Sequence, residues 1–111
     1  MNDPEIILTD LRSHTHPTPV IAAKATETVV GILDCDRGLT LMAVMGDLTS
    51  AAKIFFTLHP GWQFTISKSH GVDYHAELIS PEMPIDVIGR GGNGPSALLA
   101  AMVRVKLLEN P

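Results

Sequence analysis

A glycine-rich stretch near the C-terminus holds the residues with the clearest potential for chemistry. Ile85-Asp86-Val87-Ile88 predicts a strand, Gly89-Arg90-Gly91-Gly92-Asn93-Gly94 predicts a turn, and a helical pattern runs from Pro95 to about Glu109. A glycine-rich turn before a helix N-terminus can present backbone N–H groups and the positive end of the helix dipole to an anion. Arg90 would add a full charge. The sequence fits such an anion site and a merely packed glycine-rich turn equally well.

The anion hypothesis predicts a small phosphorylated ligand. Its predicted binding residues are Arg90, Gly91, Gly92, Asn93, Ser96, Arg104 and Tyr74. The turn also fits G-x-G-x-x-G, but a dinucleotide-binding unit needs a further parallel strand after the helix, and only two residues follow Glu109. A P-loop would end in Gly-Lys-Ser/Thr, which is absent. We therefore reject both nucleotide-binding motifs, but a small phosphorylated molecule remains the expected ligand.

Histidines offer an alternative chemistry. His14 and His16 lie on one side of the chain if their segment is extended, and His70, Asp73 and His75 fall together on a predicted hairpin. A catalytic zinc ion needs three protein ligands and an open position. Nothing in the spacing requires a metal, and histidines in a proline-rich turn or on a hairpin surface are ordinary. We predict no metal and no other cofactor.

Candidate catalytic residues are sparse. Cys35, the single cysteine, lies between Asp34 and Asp36, whose carboxylates disfavour a thiolate. Glu77 and Glu82 have no acid–base companion at a spacing that fixes their geometry, and no serine has a nucleophile-elbow context. We therefore predict no catalytic residues and a binding protein rather than an enzyme.

Composition limits the partners. A chain of 111 residues predicts one domain, residues 1–111. Eight scattered Lys and Arg residues against twelve Asp and Glu residues give a net charge of −4, which argues against duplex nucleic acid. With 45% apolar and 18% charged residues, some apolar surface is expected to meet a partner, and we predict a homo-oligomer. The sequence has one cysteine, no signal-peptide pattern and no apolar run long enough to cross a membrane. These features predict a cytoplasmic protein that does not bind a membrane.

The N-terminal half predicts helices with two undecided segments. Residues 4–12 and 39–45 suit helix and strand equally well. Thr18-Pro19 predicts a helix start, with one face formed by Ile21, Ala25, Thr28, Val29 and Ile32. Asp36-Arg37-Gly38 predicts a turn. A further helix near Asp47 is expected to end at His59-Pro60-Gly61, with a core side of Leu48, Ala51, Ala52, Phe55 and Leu58.

The C-terminal half predicts a sheet and a covering helix. Alternating apolar positions indicate one strand around Trp62, Phe64 and Ile66 and a second around Tyr74, Ala76 and Leu78. A connection at 68–72 joins these two strands, and a third strand follows at 85–88. The last helix has one apolar stripe, formed by Leu98, Ala101, Met102, Val105 and Leu108. The predicted fold is therefore α+β, an antiparallel β-meander of three or more strands packed with helices, with a C-terminal helix after the glycine-rich turn.

Residues 47 to 108 resemble the phage ABA-sandwich domain proteins. The resemblance rests on a helix ending before Gly61-Trp62, on the Trp-x-Phe-x-Ile and Tyr-x-Ala-x-Leu strands, and on Pro-x-Ala-Leu-Leu-Ala-Ala from Pro95. The family's residues ahead of the last helix correspond to Asn93-Gly94-Pro95-Ser96. The insert Gly89–Gly92 departs from the family pattern. It implies helices on both sheet faces and a small phage or prophage accessory protein. Some phage proteins of this kind, including anti-Thoeris sponges, sequester cyclic nucleotide immune signals.

The expected function is therefore a phage accessory protein in the host cytoplasm that binds a small phosphorylated ligand, with a cyclic nucleotide immune signal as the form that the resemblance implies. Two alternatives stay open. The first is a protein-interaction module that inhibits a host factor through an exposed apolar surface. The second is a metal hydrolase that uses the histidines.

Overall fold

The computed structural model describes residues 18–68, 73–82 and 86–109, where three helices are followed by three strands and a fourth helix. The strands form one antiparallel sheet in the order β1-β2-β3, which confirms the predicted α+β meander. No helix in these ranges is long and apolar enough to cross a membrane. The undecided segment 4–12 and the histidines His14, His16 and His70 lie outside the described residues. The elements are α1 (Pro19–Leu33), α2 (Arg37–Val44), α3 (Leu48–Leu58), β1 (Gln63–Lys68), β2 (Tyr74–Ile79), β3 (Asp86–Gly91) and α4 (Gly94–Glu109).

Helix α1 begins where the sequence predicts. The Thr18 hydroxyl accepts a hydrogen bond from the Ile21 N–H at 3.3 Å, and Pro19 occupies the first turn, where no N–H is required. The predicted apolar face is broadly correct but rotated, since Ala22 and Leu33 are buried whereas Ile21 is only half-buried. The β-branched residues of the second half remain helical because tertiary packing outweighs their weak propensity.

The predicted turn at Asp36-Arg37-Gly38 is wrong, because these residues start helix α2. The Asp36 carboxylate accepts from the Leu39 N–H at 2.8 Å, and the Asp36 carbonyl accepts from the Thr40 N–H at 3.0 Å. An aspartate followed by glycine suits a turn and a helix N-cap alike, and here the apolar residues that follow decide for the helix. The undecided stretch 39–45 is thus helical up to Val44.

Helix α3 confirms its predicted bounds but not its whole predicted core side. It starts directly after Asp47 and ends before His59. Phe55 is fully buried and its ring meets that of Phe64 edge-on at 5.0 Å, which joins α3 to β1. Leu48, predicted to face the core, is instead 46% exposed because it occupies the first turn, beyond the layer that α3 packs against.

Helix α4 is the centre of the fold rather than a cover on the sheet. Every residue from Pro95 to Val103 is buried, which no single stripe predicts. The sheet packs on one side of α4 and the helices α1, α2 and α3 contact it from elsewhere. Leu108, placed by the sequence in the buried stripe, is 65% exposed because it extends past both layers.

The predicted glycine-rich turn is shorter than expected. Strand β3 continues to Gly91, so that Gly89, Arg90 and Gly91 are strand residues and only Gly92 and Asn93 connect to α4. A Cβ atom built on Gly91 would lie 2.3 Å from the backbone nitrogen of Ala97. The strand glycines therefore allow β3 to lie directly against the backbone of α4.

Candidate functional site

The start of α4 is largely capped from within the chain. The Asn93 side-chain oxygen accepts from the Ser96 N–H at 2.9 Å, and the Asn93 carbonyl accepts from the Ala97 N–H at 3.0 Å. Pro95 has no N–H. Among the residues of the first turn, Gly94 thus has the remaining N–H. The predicted anion contacts of the Gly91, Gly92 and Asn93 N–H groups stay a prediction.

Ser96 and Asn93 also fix the end of α2. The Ser96 hydroxyl and the Asn93 side-chain amide both approach the carbonyl of Val44, at 3.5 and 3.4 Å. Ser96 is fully buried. Its placement indicates a structural contact between α2 and α4, although the sequence predicts it as a ligand residue.

The structure does not bring Arg90 to the start of α4. Because side chains alternate along a strand and both flanking glycines face α4, Arg90 projects from the opposite face of the sheet, where it is exposed. Its Cα partner on β2 is His75. Arg104 is exposed about 15 Å along the helix axis from Gly94, so neither arginine joins the predicted cluster. Gly92 is buried in the connection.

The outer face of the sheet is open to solvent in the described residues. Gln63, Thr65 and Ser67 are exposed along β1, as their alternation with apolar residues predicts. Ile79 and Ile88 are exposed on the same face, together with Arg90. The helices of the described ranges lie on the α4 side of the sheet.

A groove does form beside the start of α4, and it unites two of the predicted ligand residues. Its volume is about 550 Å³, within the range of small-molecule sites. Tyr74 and Asn93 supply its aromatic ring and its amide, and the remaining walls are mostly apolar. The residues that line it are Met45, Gly46, Leu48, Ile66, Tyr74, Asn93, Gly94 and Pro95.

Lys68 places a positive charge beside Tyr74, one of the residues that line this groove. In the sheet register Lys68 pairs with Tyr74, which pairs with Gly91. The Lys68 ammonium nitrogen lies 5.4 Å from the centroid of the Tyr74 ring, a cation–π contact. Sequence reasoning missed Lys68 because it assigned this residue to the hairpin connection; extending the alternation by one pair would have found it.

A second, smaller cavity of about 130 Å³ lies at the other end of α4 and is lined by Leu33, Leu58, His59, Val105, Lys106 and Glu109. The centroids of the His59 and Trp62 rings lie 4.5 Å apart, with the ring planes tilted by 35°. Burial lowers the pKa of His59, while the nearby Glu109 carboxylate raises it in part. This histidine belongs to a packed contact between α3 and α4, and the cavity is too small for a nucleotide.

Cys35 and the histidines form no reactive cluster in the part of the chain that the structure describes. Burial is the main cause that raises the pKa of the Cys35 thiol. The hydrogen bond with the Thr40 hydroxyl at 3.2 Å and a backbone hydrogen bond oppose part of this rise, and the carboxylates of Asp36 and Asp34 add smaller increases. Across residues 18–68, 73–82 and 86–109, no three His, Cys, Asp or Glu side chains are placed to hold one metal ion.

Comparison of the chain with protein-family models, curated proteins and solved structures gave no match. The functional inference therefore rests on the groove and on the charges around it.

Proposed function

We propose that this protein binds a small phosphorylated molecule in the groove at the start of α4. One observation carries the proposal: the Tyr74 ring lines a groove of small-molecule size, and the Lys68 ammonium nitrogen lies 5.4 Å from the centroid of that ring. This site replaces the arrangement centred on Arg90 that the sequence alone suggests.

The groove offers complementary contacts to a nucleotide. The half-buried Tyr74 ring and the apolar side chains of Ile66 and Met45 suit a planar base, since aromatic rings stack favourably on one another. Lys68 suits a phosphate because a charge-assisted hydrogen bond is about twice as strong as a neutral one. The Gly94 N–H, at the positive end of the α4 dipole, favours the same anion.

The biological role that we propose is sequestration rather than catalysis. No acid–base pair or nucleophile lines the groove, whose polar side chains are a tyrosine and an asparagine. In line with the resemblance to phage ABA-sandwich proteins, we propose a phage or prophage accessory protein that retains a cyclic nucleotide immune signal in the host cytoplasm.

Calorimetric titration with cyclic and linear nucleotides tests the site. Lys68→Ala should weaken binding by roughly tenfold to a hundredfold, the loss expected for a charge-assisted hydrogen bond worth about 1.5–3 kcal/mol. Tyr74→Ala should also weaken binding by removing the stacking surface. Arg90→Ala is the matched control, because it removes the same charge from the opposite face of the same end of the sheet and should leave affinity unchanged.

Each outcome is informative. A loss with Arg90→Ala but not with Lys68→Ala would move the ligand to the outer face of the sheet. Absence of binding by every nucleotide would refute the proposal, and so would the absence of any nucleotide released by heating protein purified from cells that carry nucleotide-based immunity.

A further inference from the structure

Charge is scarce on the walls of the groove beside the start of α4. Among the residues that the structure describes, none that lines this groove is charged, and its polar side chains are Tyr74 and Asn93. An ion that enters such a surface loses part of its hydration and is stable there only when an opposite charge or hydrogen-bond donors lie close to it. The charges next to the lining residues therefore limit the charge that a ligand can carry.

Lys68 supplies the positive charge beside the groove. Its ammonium nitrogen lies 5.4 Å from the centroid of the Tyr74 ring. The Gly94 N–H adds a partial positive charge at the start of α4. Arg90 projects from the opposite face of the sheet, and Arg104 lies about 15 Å along the helix axis from Gly94. The aromatic wall of the groove thus has one full positive charge next to it.

Two carboxylates adjoin lining residues along the chain. Asp47 stands between Gly46 and Leu48, and Asp73 directly precedes Tyr74. Because consecutive Cα atoms are about 3.8 Å apart, both acids lie well within the ~10 Å over which charges act at about 0.1 M salt. They oppose every negative charge that enters the groove, so each ligand charge needs a positive partner of its own.

We infer that the groove selects ligands with a single negative charge, and that its ligand is a nucleoside phosphodiester such as a cyclic monophosphate. The inference rests on the proposed function and narrows its ligand class. One phosphodiester anion can pair with Lys68 and the Gly94 N–H while its base contacts Tyr74. A phosphomonoester has about 1.5–2 negative charges at neutral pH, and a polyphosphate has more. The additional charge would lie unpaired near Asp47 and Asp73, and an unpaired charge is a means of rejecting the wrong ligand.

Calorimetric titration at about pH 8 tests this limit with four compounds for each of the common bases. They are the uncharged nucleoside, its cyclic monophosphate, its linear monophosphate and the methyl ester of that linear monophosphate. The cyclic compound and the methyl ester have one charge each and should bind roughly tenfold or more tightly than the other two. The linear monophosphate is smaller than its methyl ester, so weaker binding of the monophosphate would reflect its charge and not its size.

The double variant Asp47→Asn, Asp73→Asn tests the source of the selection. Asparagine caps a helix as well as aspartate does, so α3 keeps its start. Since Coulomb energy is proportional to ligand charge, the affinity gain for the linear monophosphate should be about the square of the gain for its methyl ester. In about 1 M salt the difference between these two ligands should shrink for the wild-type protein, because the screening length falls to about 3 Å.

The matched control is the double variant Glu77→Gln, Glu82→Gln, which makes the same change in net charge. Glu77 alternates with the buried Ala76 and Leu78 and thus faces away from α4. Glu82 follows Ile79, which ends β2 about 17 Å from its start. This control should keep the wild-type preference, and circular dichroism should show that both double variants remain folded.

The outcomes separate this inference from the proposed function. A linear monophosphate that binds as tightly as its methyl ester would overturn the inference and leave the proposed function standing. So would a preference that the Asp47→Asn, Asp73→Asn variant leaves unchanged, or one that both double variants change equally. A nucleoside that binds as tightly as its cyclic monophosphate, or the absence of binding by all four compounds, would overturn the proposed function as well.

Discussion

Gly89 of β3 lies against Ala101 of α4 with no room for a side chain between them. A Cβ atom on Gly89 would be 2.1 Å from the backbone nitrogen of Ala101 and 2.5 Å from the carbonyl oxygen of Ala97. Both partners are backbone atoms of a buried helix, which cannot move aside as a flexible side chain could. The glycines that suggest a phosphate-binding turn in the sequence thus hold the sheet directly against its central helix.

Gly89→Ala should therefore destabilise the protein by about 3 kcal/mol or more, because β3 and α4 must separate to admit the methyl group. Gly31→Ala is the control. Gly31 is an exposed residue of α1 with no atom within 4 Å of its would-be Cβ, and alanine there should stabilise the helix by about 0.5–1 kcal/mol. Urea unfolding of both variants checks the pair. Equal effects would contradict the close packing.

Truncation of two leucines on α4 should show that its buried part contributes more to the free energy of unfolding than its exposed end. Leu98 is fully buried, and Leu98→Ala should cost about 2–5 kcal/mol by leaving a cavity. Leu108→Ala should change the free energy of unfolding by less than about 0.5 kcal/mol because its side chain is exposed. Thermal and urea unfolding measure both. Similar losses at the two sites would mean that the end of α4 is covered.

Stability should fall as pH is lowered through the range of His59. Its pKa is below the ordinary value of 6.5 in the folded chain because burial disfavours the charged ring, so the unfolded state binds the proton more readily. The contribution of the neutral His59 ring to the free energy of unfolding is complete above pH 6.5 and is lost as the pH falls through the lower pKa of the folded chain. Glu109 opposes part of the shift and Lys106 lines the same cavity.

His59→Gln should accordingly flatten the dependence of unfolding free energy on pH between 7.5 and 5.5, as measured by urea titration. His75→Gln, which removes a histidine from the outer face of the sheet, is measured beside it, so that the specific effect of His59 is separated from the general effect of losing a histidine. A slope that survives His59→Gln would assign the pH dependence to other groups.

Metal content remains a prediction from the sequence, since His14 and His16 lie outside the described residues. Elemental analysis of protein purified without an affinity tag should find no stoichiometric zinc, and a chelator should leave the melting temperature unchanged. Near-equimolar zinc would instead revive the hydrolase alternative.

Local chemistry made several elements predictable. Thr18-Pro19 specifies the start of α1 because its hydroxyl and its missing N–H both suit a helix N-terminus. The alternation of apolar and polar residues specifies the strands, because successive side chains of a strand point to opposite faces of the sheet. His59-Pro60-Gly61 likewise ends α3, with Gly61 at a φ of 85°. Asp36 shows the limit, because the same residue type caps a helix and starts a turn.

The sequence by itself determined the α+β class, the meander and most element starts, because those depend on neighbours along the chain. Only the tertiary structure decided which face of the sheet receives Arg90, that α4 is buried between two layers, and that Lys68 meets Tyr74. These relations depend on strand register and on contacts between residues far apart in sequence, such as the approach of Ser96 to Val44. The candidate site is consequently not the glycine-rich stretch but the groove beside it, where residues from the α2–α3 connection, α3, the sheet and the start of α4 meet.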